Sequence, residues 1–310
     1  MRGMSQDAPG ADQTGADSTG AGPTGADPTG ITSTATVTLP NGSASARLGQ
    51  GTWMLGQDAA RHDTELEALQ RGLDLGLTMI DTAEMYGEGS ELLVGEAIRG
   101  RRDEVLVVDK VLPSHASRQG VVDACRASLK RLGVERIDLY LLHWRGGHPL
   151  AETVAGFEEL AQQGDIGGWG VSNFDTEDLH ELATLSAGAH VQVNQVLYNL
   201  ARRGPEFDLL PQQRAAGVPL MAYSPVDHGE LLDDTTLDEI AETKGVTPAQ
   251  LALAWVLHQL PDGLVAVKAS TPEHVAENAA SRDIRFTAGE LNALDGAFPA
   301  PTRRTPLEML

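Results

Sequence analysis

The chain has 310 residues, 41% hydrophobic and 22% charged, close to the average for soluble globular proteins, which excludes a wholly disordered, collagen-like or fibrous chain. Lys and Arg total 23 against 44 Asp and Glu, a formal charge of -21; that is the wrong sign for tracking nucleic-acid phosphates or anionic lipid, so neither partner is expected. Cys125 is the single cysteine and makes no internal disulfide, and no stretch offers about 18 consecutive apolar residues, so the chain reads as cytoplasmic.

Residues 1–33 are expected to form a disordered tail. From Gly10 the chain repeats Gly-Ala-Asp-x-Thr through Gly15, Gly20 and Gly25, with almost nothing apolar to bury. Gly20-Ala-Gly-Pro-Thr-Gly25 fits the dinucleotide pattern G-x-G-x-x-G letter by letter. It carries no weight, because no strand precedes it, Pro23 interrupts it and no helix follows.

Residues 34–310 are expected to form one domain. Strand-like runs at 35–39 and 43–48 flank Pro40-Asn41-Gly42, a strong hairpin signal. Beyond it, short apolar runs at 48–53, 77–81, 105–110, 137–143, 168–172, 191–195, 219–223 and 264–268 alternate with helical patterns. Thr247-Pro248-Ala249-Gln250 is a capping box, Thr271-Pro272 opens another helix, and Thr287 with Glu290 starts a last one. Cys125 shares a helical face with Val122, Leu129 and Leu132 and reads as core filler.

Repeated strand-then-helix units demand a parallel sheet covered by helices. The roughly 260 residues left after the tail and hairpin are close to the length of a (β/α)8 barrel. A doubly wound nucleotide-binding sheet is disfavoured, since Leu48-Gly49-Gln50-Gly51-Thr52-Trp53-Met54 puts Met where the third Gly belongs. The expected fold is therefore α/β, a (β/α)8 TIM barrel with an N-terminal β-hairpin and a disordered N-terminal tail.

In such a barrel the chemistry sits at the C-terminal strand ends. Asp81 and Tyr86 follow the second strand, Lys110 ends the third and His143 the fourth. Singly, each reads as a solvated charge, packing or a satisfied rim residue. Jointly they make a device: a phenol with pKa near 10 donates poorly at neutral pH unless a cation lowers that value. Lys110 would be the cation, Asp81 its anchor, and His143 a hydrogen-bond partner for a substrate carbonyl. A rival reading makes Lys110 the Schiff-base lysine of an aldolase. On the other half of the rim, Ser172, Asn173, Gln195 and Tyr223 suit a carboxamide-bearing ring stacked on an aromatic face. Ser172 and Asn173 alternatively read as caps for the helix near Thr176. Lys268 and the helix after Thr271 offer a phosphate site. His143 and His148 are separated by Gly146-Gly147, and no metal is expected.

These stretches resemble the aldo-keto reductase family: Gly49-x-Gly51-Thr52-Trp53, Asp81-Thr82-Ala83-x-x-Tyr86-Gly87, Asp138-Leu139-Tyr140-Leu141-Leu142-His143-Trp144, Gly170-Val171-Ser172-Asn173-Phe174, Asn194-Gln195 and Ala222-Tyr223-Ser224-Pro225. The resemblance implies a reductase of aldehydes or ketones that binds NADPH without a Rossmann domain, with Asp81, Tyr86, Lys110 and His143 as its catalytic tetrad. It implies cofactor contacts from Gly51, Thr52, Trp53, Ser172, Asn173, Gln195, Tyr223, Ser224, Pro225 and Val226. At the adenine end it implies Lys268, Ala269, Ser270, Thr271, His274, Glu277 and Asn278, and a substrate pocket walled by Trp53, Tyr86, His143 and Trp144. Ala269 and His274 stand where many members have Ser and Arg, which weakens two 2′-phosphate contacts and leaves NADH as the alternative cofactor. His143-Trp144-Arg145-Gly146, Arg203-Gly204 and Asp208-Leu209-Leu210-Pro211 resemble the bacterial methylglyoxal reductase-like branch, which implies small reactive aldehydes as substrates; a monomer is expected. A redox-sensing regulatory protein that retains NADP is the non-enzymatic alternative.

Overall fold

The computed structural model describes residues 36–227 and 230–310; the expected tail and its glycine match lie outside the described residues. Strands β1 (Thr36–Thr38) and β2 (Ala44–Ala46) pair antiparallel, with Thr36 opposite Ala46. Their turn places Gly42 at φ +86°, where a side chain would be strained. Leu39 and Ser43 close it through a 2.8 Å hydrogen bond from the Leu39 N–H.

The barrel strands are β3 (Leu48–Gly51), β4 (Met79–Asp81), β5 (Leu106–Val111), β6 (Leu139–Leu142), β7 (Trp169–Ser172), β8 (Val191–Leu197), β9 (Leu220–Tyr223) and β10 (Leu264–Lys268). They close in chain order, with β10 against β3 and Lys268 opposite Gly51. Between them run α1 (His62–Asp74), α2 (Glu88–Ala97), α3 (Arg118–Leu132), α4 (Leu150–Gln163), α5 (Thr176–Thr184), α6 (Leu209–Ala216), α7 (Thr235–Lys244), α8 (Pro248–Gln259), α9 (Pro272–Ala280) and α10 (Ala288–Ala297). The boxes expected at Thr247 and Thr287 open α8 and α10, and Thr271 caps α9.

Side chains alternate across each strand. Met79, Val108, Leu139, Leu141, Val193, Met221, Leu264 and Ala266 fill the barrel interior, and Leu39 from the hairpin joins them. The Asn41 N–H donates to Gln192 Oε1 at 2.7 Å, at the start of β8, so the hairpin stoppers the floor of the barrel. Gly49 admits the Met79 side chain, because a Cβ there would lie 2.5 Å from it. Outside the sheet, Tyr140, Phe157 and Trp169 pack ring against ring beneath α4, and Cys125 is buried there as expected.

Candidate active site

Alternation along β5 turns Val108 and Lys110 inward and Asp109 outward. The fully buried Lys110 Nζ lies 2.8 Å from Asp81 Oδ2, 2.9 Å from the Thr82 carbonyl and 3.3 Å from the Tyr86 hydroxyl. Tyr86 ends a short 3-10 turn (Glu84–Tyr86) stopped by Gly87 at φ +92°. Three neighbours hold that turn. Gln57 donates to the Tyr86 carbonyl at 3.0 Å, and the Glu84 carboxylate accepts the Leu112 N–H at 2.6 Å and faces His115 Nδ1 at 3.0 Å. The Tyr86 and His143 rings meet edge to face at 5.9 Å.

Burial disfavours the Lys110 ammonium, but Asp81 and Tyr86 outweigh it and hold its pKa above the ordinary value. Burial also raises the Tyr86 phenol, and Lys110 opposes this only in part. The expectation that Lys110 would bring the phenol below its usual value is therefore corrected: the cation offsets a burial effect that local sequence does not disclose. His143 is pushed down to about 3, first by burial and then by Lys110, so its imidazole is neutral and its Nδ1 is buried without a partner among the described residues.

The amide side of the rim joins this network. Gln195 Nε2 donates to Asp81 Oδ1 at 2.8 Å, so both Asp81 oxygens are engaged. Asn173 Nδ2 donates to the His143 carbonyl at 3.0 Å, and the Tyr223 hydroxyl donates to Asn173 Oδ1 at 3.1 Å. Asp175, not Ser172 or Asn173, caps α5, accepting the Glu177 and Asp178 N–H groups at 2.8 and 2.9 Å. The capping reading of Ser172 and Asn173 is thereby overturned, and Asn173 instead sits at φ +58°, an unusual conformation of the kind found at functional rims.

A cavity of about 570 Å³ opens over these groups. Gly51, Thr52, Trp53, Asp81, Tyr86, His143, Trp144, Ser172, Asn173, Gln195, Tyr223, Ser224, Pro225, Val226 and Lys268 line it together. Ala269, Ser270, Thr271, His274, Glu277 and Asn278 are not among its walls; they continue from Lys268 into the turn and α9. Thr271 Oγ1 accepts the His274 N–H at 3.3 Å as the cap of that helix. Met85, Asp227, Leu232, Met309 and Leu310 also line the cavity and went unrecognised in the sequence. Met85 had a signal, its place beside Tyr86, whereas Met309 and Leu310 stand in no periodic pattern.

The Aldo/keto reductase family model matches residues 47–298. Methylglyoxal reductase YeaE of Escherichia coli is 47% identical over 271 residues, covering 85% of this chain and 94% of the relative. The uncharacterized oxidoreductase YtbE of Bacillus subtilis is 31% identical, covering 84% and 92%. A crystal structure of an aldo-keto reductase from Klebsiella pneumoniae in complex with NADPH superposes with a TM-score of 0.86 at 46% identity, covering 89% of this chain and 99% of its own.

Proposed function

Since the chain belongs to the aldo/keto reductase family, we propose that it reduces aldehyde or ketone carbonyls to alcohols with NADPH, small reactive aldehydes such as methylglyoxal being its substrate class. The observation that carries this reading is the buried chain Asp81–Lys110–Tyr86 beside a neutral His143 in the floor of the cavity. The donor set fits the cofactor. Ser172 and Asn173 offer a hydroxyl and an amide to a carboxamide, Tyr223 an aromatic face, and Lys268 a cation on the wall of the same cavity. When bound, the dihydronicotinamide supplies the hydride to the carbonyl carbon.

Tyr86 keeps its proton through neutral pH and passes it to the carbonyl oxygen as negative charge develops there. Lys110, an ammonium 3.3 Å from that hydroxyl, stabilises the tyrosinate left behind, a fixed charge on a fully buried side chain. Asp81 holds the ammonium, and Gln195 holds Asp81. The neutral His143 donates an N–H to the carbonyl oxygen and fixes its direction. The same charge state argues against the aldolase, because a Schiff base needs a neutral amine and Lys110 is held protonated. The assay is NADPH and NADH oxidation, side by side, against methylglyoxal, simple aldehydes, ketones and keto-sugars. Fast turnover of small aldehydes with NADPH is expected; tight cofactor retention with negligible turnover across the panel would favour the redox-sensing role instead.

A further inference from the structure

The turn after β9 holds two non-glycine residues in the left-handed region, Ser224 at φ +48° and Asp227 at φ +54°, and both line the cavity. Such backbone persists only where its surroundings fix it. Here the fixing comes from the segment after β8. Asn199, fully buried, donates to the Ser224 carbonyl at 2.9 Å and accepts the N–H groups of Ala201 and Arg202 at 3.0 and 2.9 Å. That arrangement aims Arg202. Its Nη1 donates to Glu308 Oε2 at 3.1 Å, while its Nε lies 3.9 Å from Asp227 Oδ2, a charge-to-charge approach beyond hydrogen-bond reach. Glu308 adjoins Met309 and Leu310, which form another part of the cavity wall. The segment bearing Glu308 is fastened upstream by Arg304, which pairs with Glu177 at 3.0 Å and Asp208 at 3.2 Å.

One guanidinium thus joins two cavity walls that are distant in sequence. We propose that Arg202 is a positioning residue that latches the turn at 224–227 to the segment at 308–310 across the cavity mouth and thereby sets how tightly NADPH is retained. The inference rests on the cofactor reading given above. Arg202 touches none of the residues assigned to proton transfer, so its influence falls on binding and release. It also supplies the countercharge to Asp227, whose side chain is 6% exposed and whose carboxylate, left alone on the wall, would repel the cofactor's phosphates.

The test compares wild type with Arg202→Met, Arg202→Lys and Glu308→Gln in the full chain. Three measurements are made: NADPH affinity by fluorescence titration, the single-turnover reduction rate at saturating NADPH, and hydrogen exchange of the cofactor-free protein. Arg202→Met should weaken NADPH about three- to tenfold, the range open to a partly buried ion pair. Single-turnover reduction should stay within about twofold, and exchange should quicken at 224–227 and 305–310 while the barrel strands hold. Arg202→Lys should recover part of the affinity, and Glu308→Gln should loosen only the second segment. Unchanged affinity and exchange, or faster exchange throughout the barrel, would overturn the latch. Should wild type bind no NADPH, the cofactor reading falls while the exchange pattern still decides whether Arg202 joins the two walls.

Discussion

In the proposed mechanism Tyr86 donates only while it holds its proton, and its burial keeps the phenol protonated through neutral pH. Tyr86→Phe should leave NADPH affinity within about twofold but cut single-turnover reduction about 10²- to 10⁴-fold, the usual worth of a positioned proton donor; rapid-mixing kinetics at saturating cofactor separates the two. His143 makes a companion prediction. With its pKa at about 3, the imidazole does not titrate where a free one would, so the reduction rate should run level from pH 5.5 to 8 with no inflection near 6.5. It should fall only at strongly alkaline pH, where Tyr86 loses its proton. Asp109, on the outward side of β5, is pushed up to about 8, first by burial and then by the charge of Glu91. Its folded-state value thus lies above the unfolded one, so the unfolded chain releases this proton first. Asp109 therefore costs stability progressively as pH rises from about 4 to about 8. Asp109→Asn should raise the melting temperature by about 2–6 °C at pH 8, with the gain vanishing near pH 4 in a thermal-melt series. Residue types and their places at strand ends were legible in the sequence; the direction of the Tyr86 shift was not, because it is decided by how many atoms from distant segments cover the phenol.

Among the elements, legibility followed local chemistry. Thr247 with Gln250 and Thr287 with Glu290 meet within four residues and are helix starts wherever the chain puts them. Ser172-Asn173-Phe174-Asp175-Thr176 offers several cap-capable side chains, and the role falls to Asp175, which directly precedes α5 and forms a capping box with Asp178. The junction of β10 with α9 belongs to the first kind: an exposed Lys268, then Thr271 capping a helix that begins at Pro272. If this junction receives the 2′-phosphate, its charge must discriminate between cofactors. Lys268→Met should weaken NADPH about tenfold and leave NADH within about twofold, since one charge-assisted contact to a phosphate is worth about 1–2 kcal/mol. Paired fluorescence titrations measure the ratio, and an equal loss for both cofactors would move the phosphate elsewhere on the rim.

At the scale of the molecule, eight repeats of strand and helix made the barrel readable, but closure brings together residues that no local pattern joins. Lys268 beside Gly51 is one such pair, and Gln195 on Asp81 is another. Closure also separates two jobs. The C-terminal strand ends carry the proposed chemistry, whereas the N-terminal ends are plugged by the hairpin, with Leu39 buried among Met79, Leu139 and Leu264 and Asn41 bound to Gln192. In barrels of this kind the floor serves stability and the rim serves function. Leu39→Ala removes a 3% exposed side chain from that plug and should cost about 2–4 kcal/mol in urea unfolding, the price of a buried cavity. Reduction kinetics and NADPH affinity, measured well below the melting point, should stay within about twofold of wild type, because none of the residues assigned to the chemistry touches the hairpin. A variant that lost activity in proportion to stability would mean that the floor and the rim of this barrel are mechanically coupled, and that the hairpin helps to hold Asp81, Lys110 and Tyr86 in register.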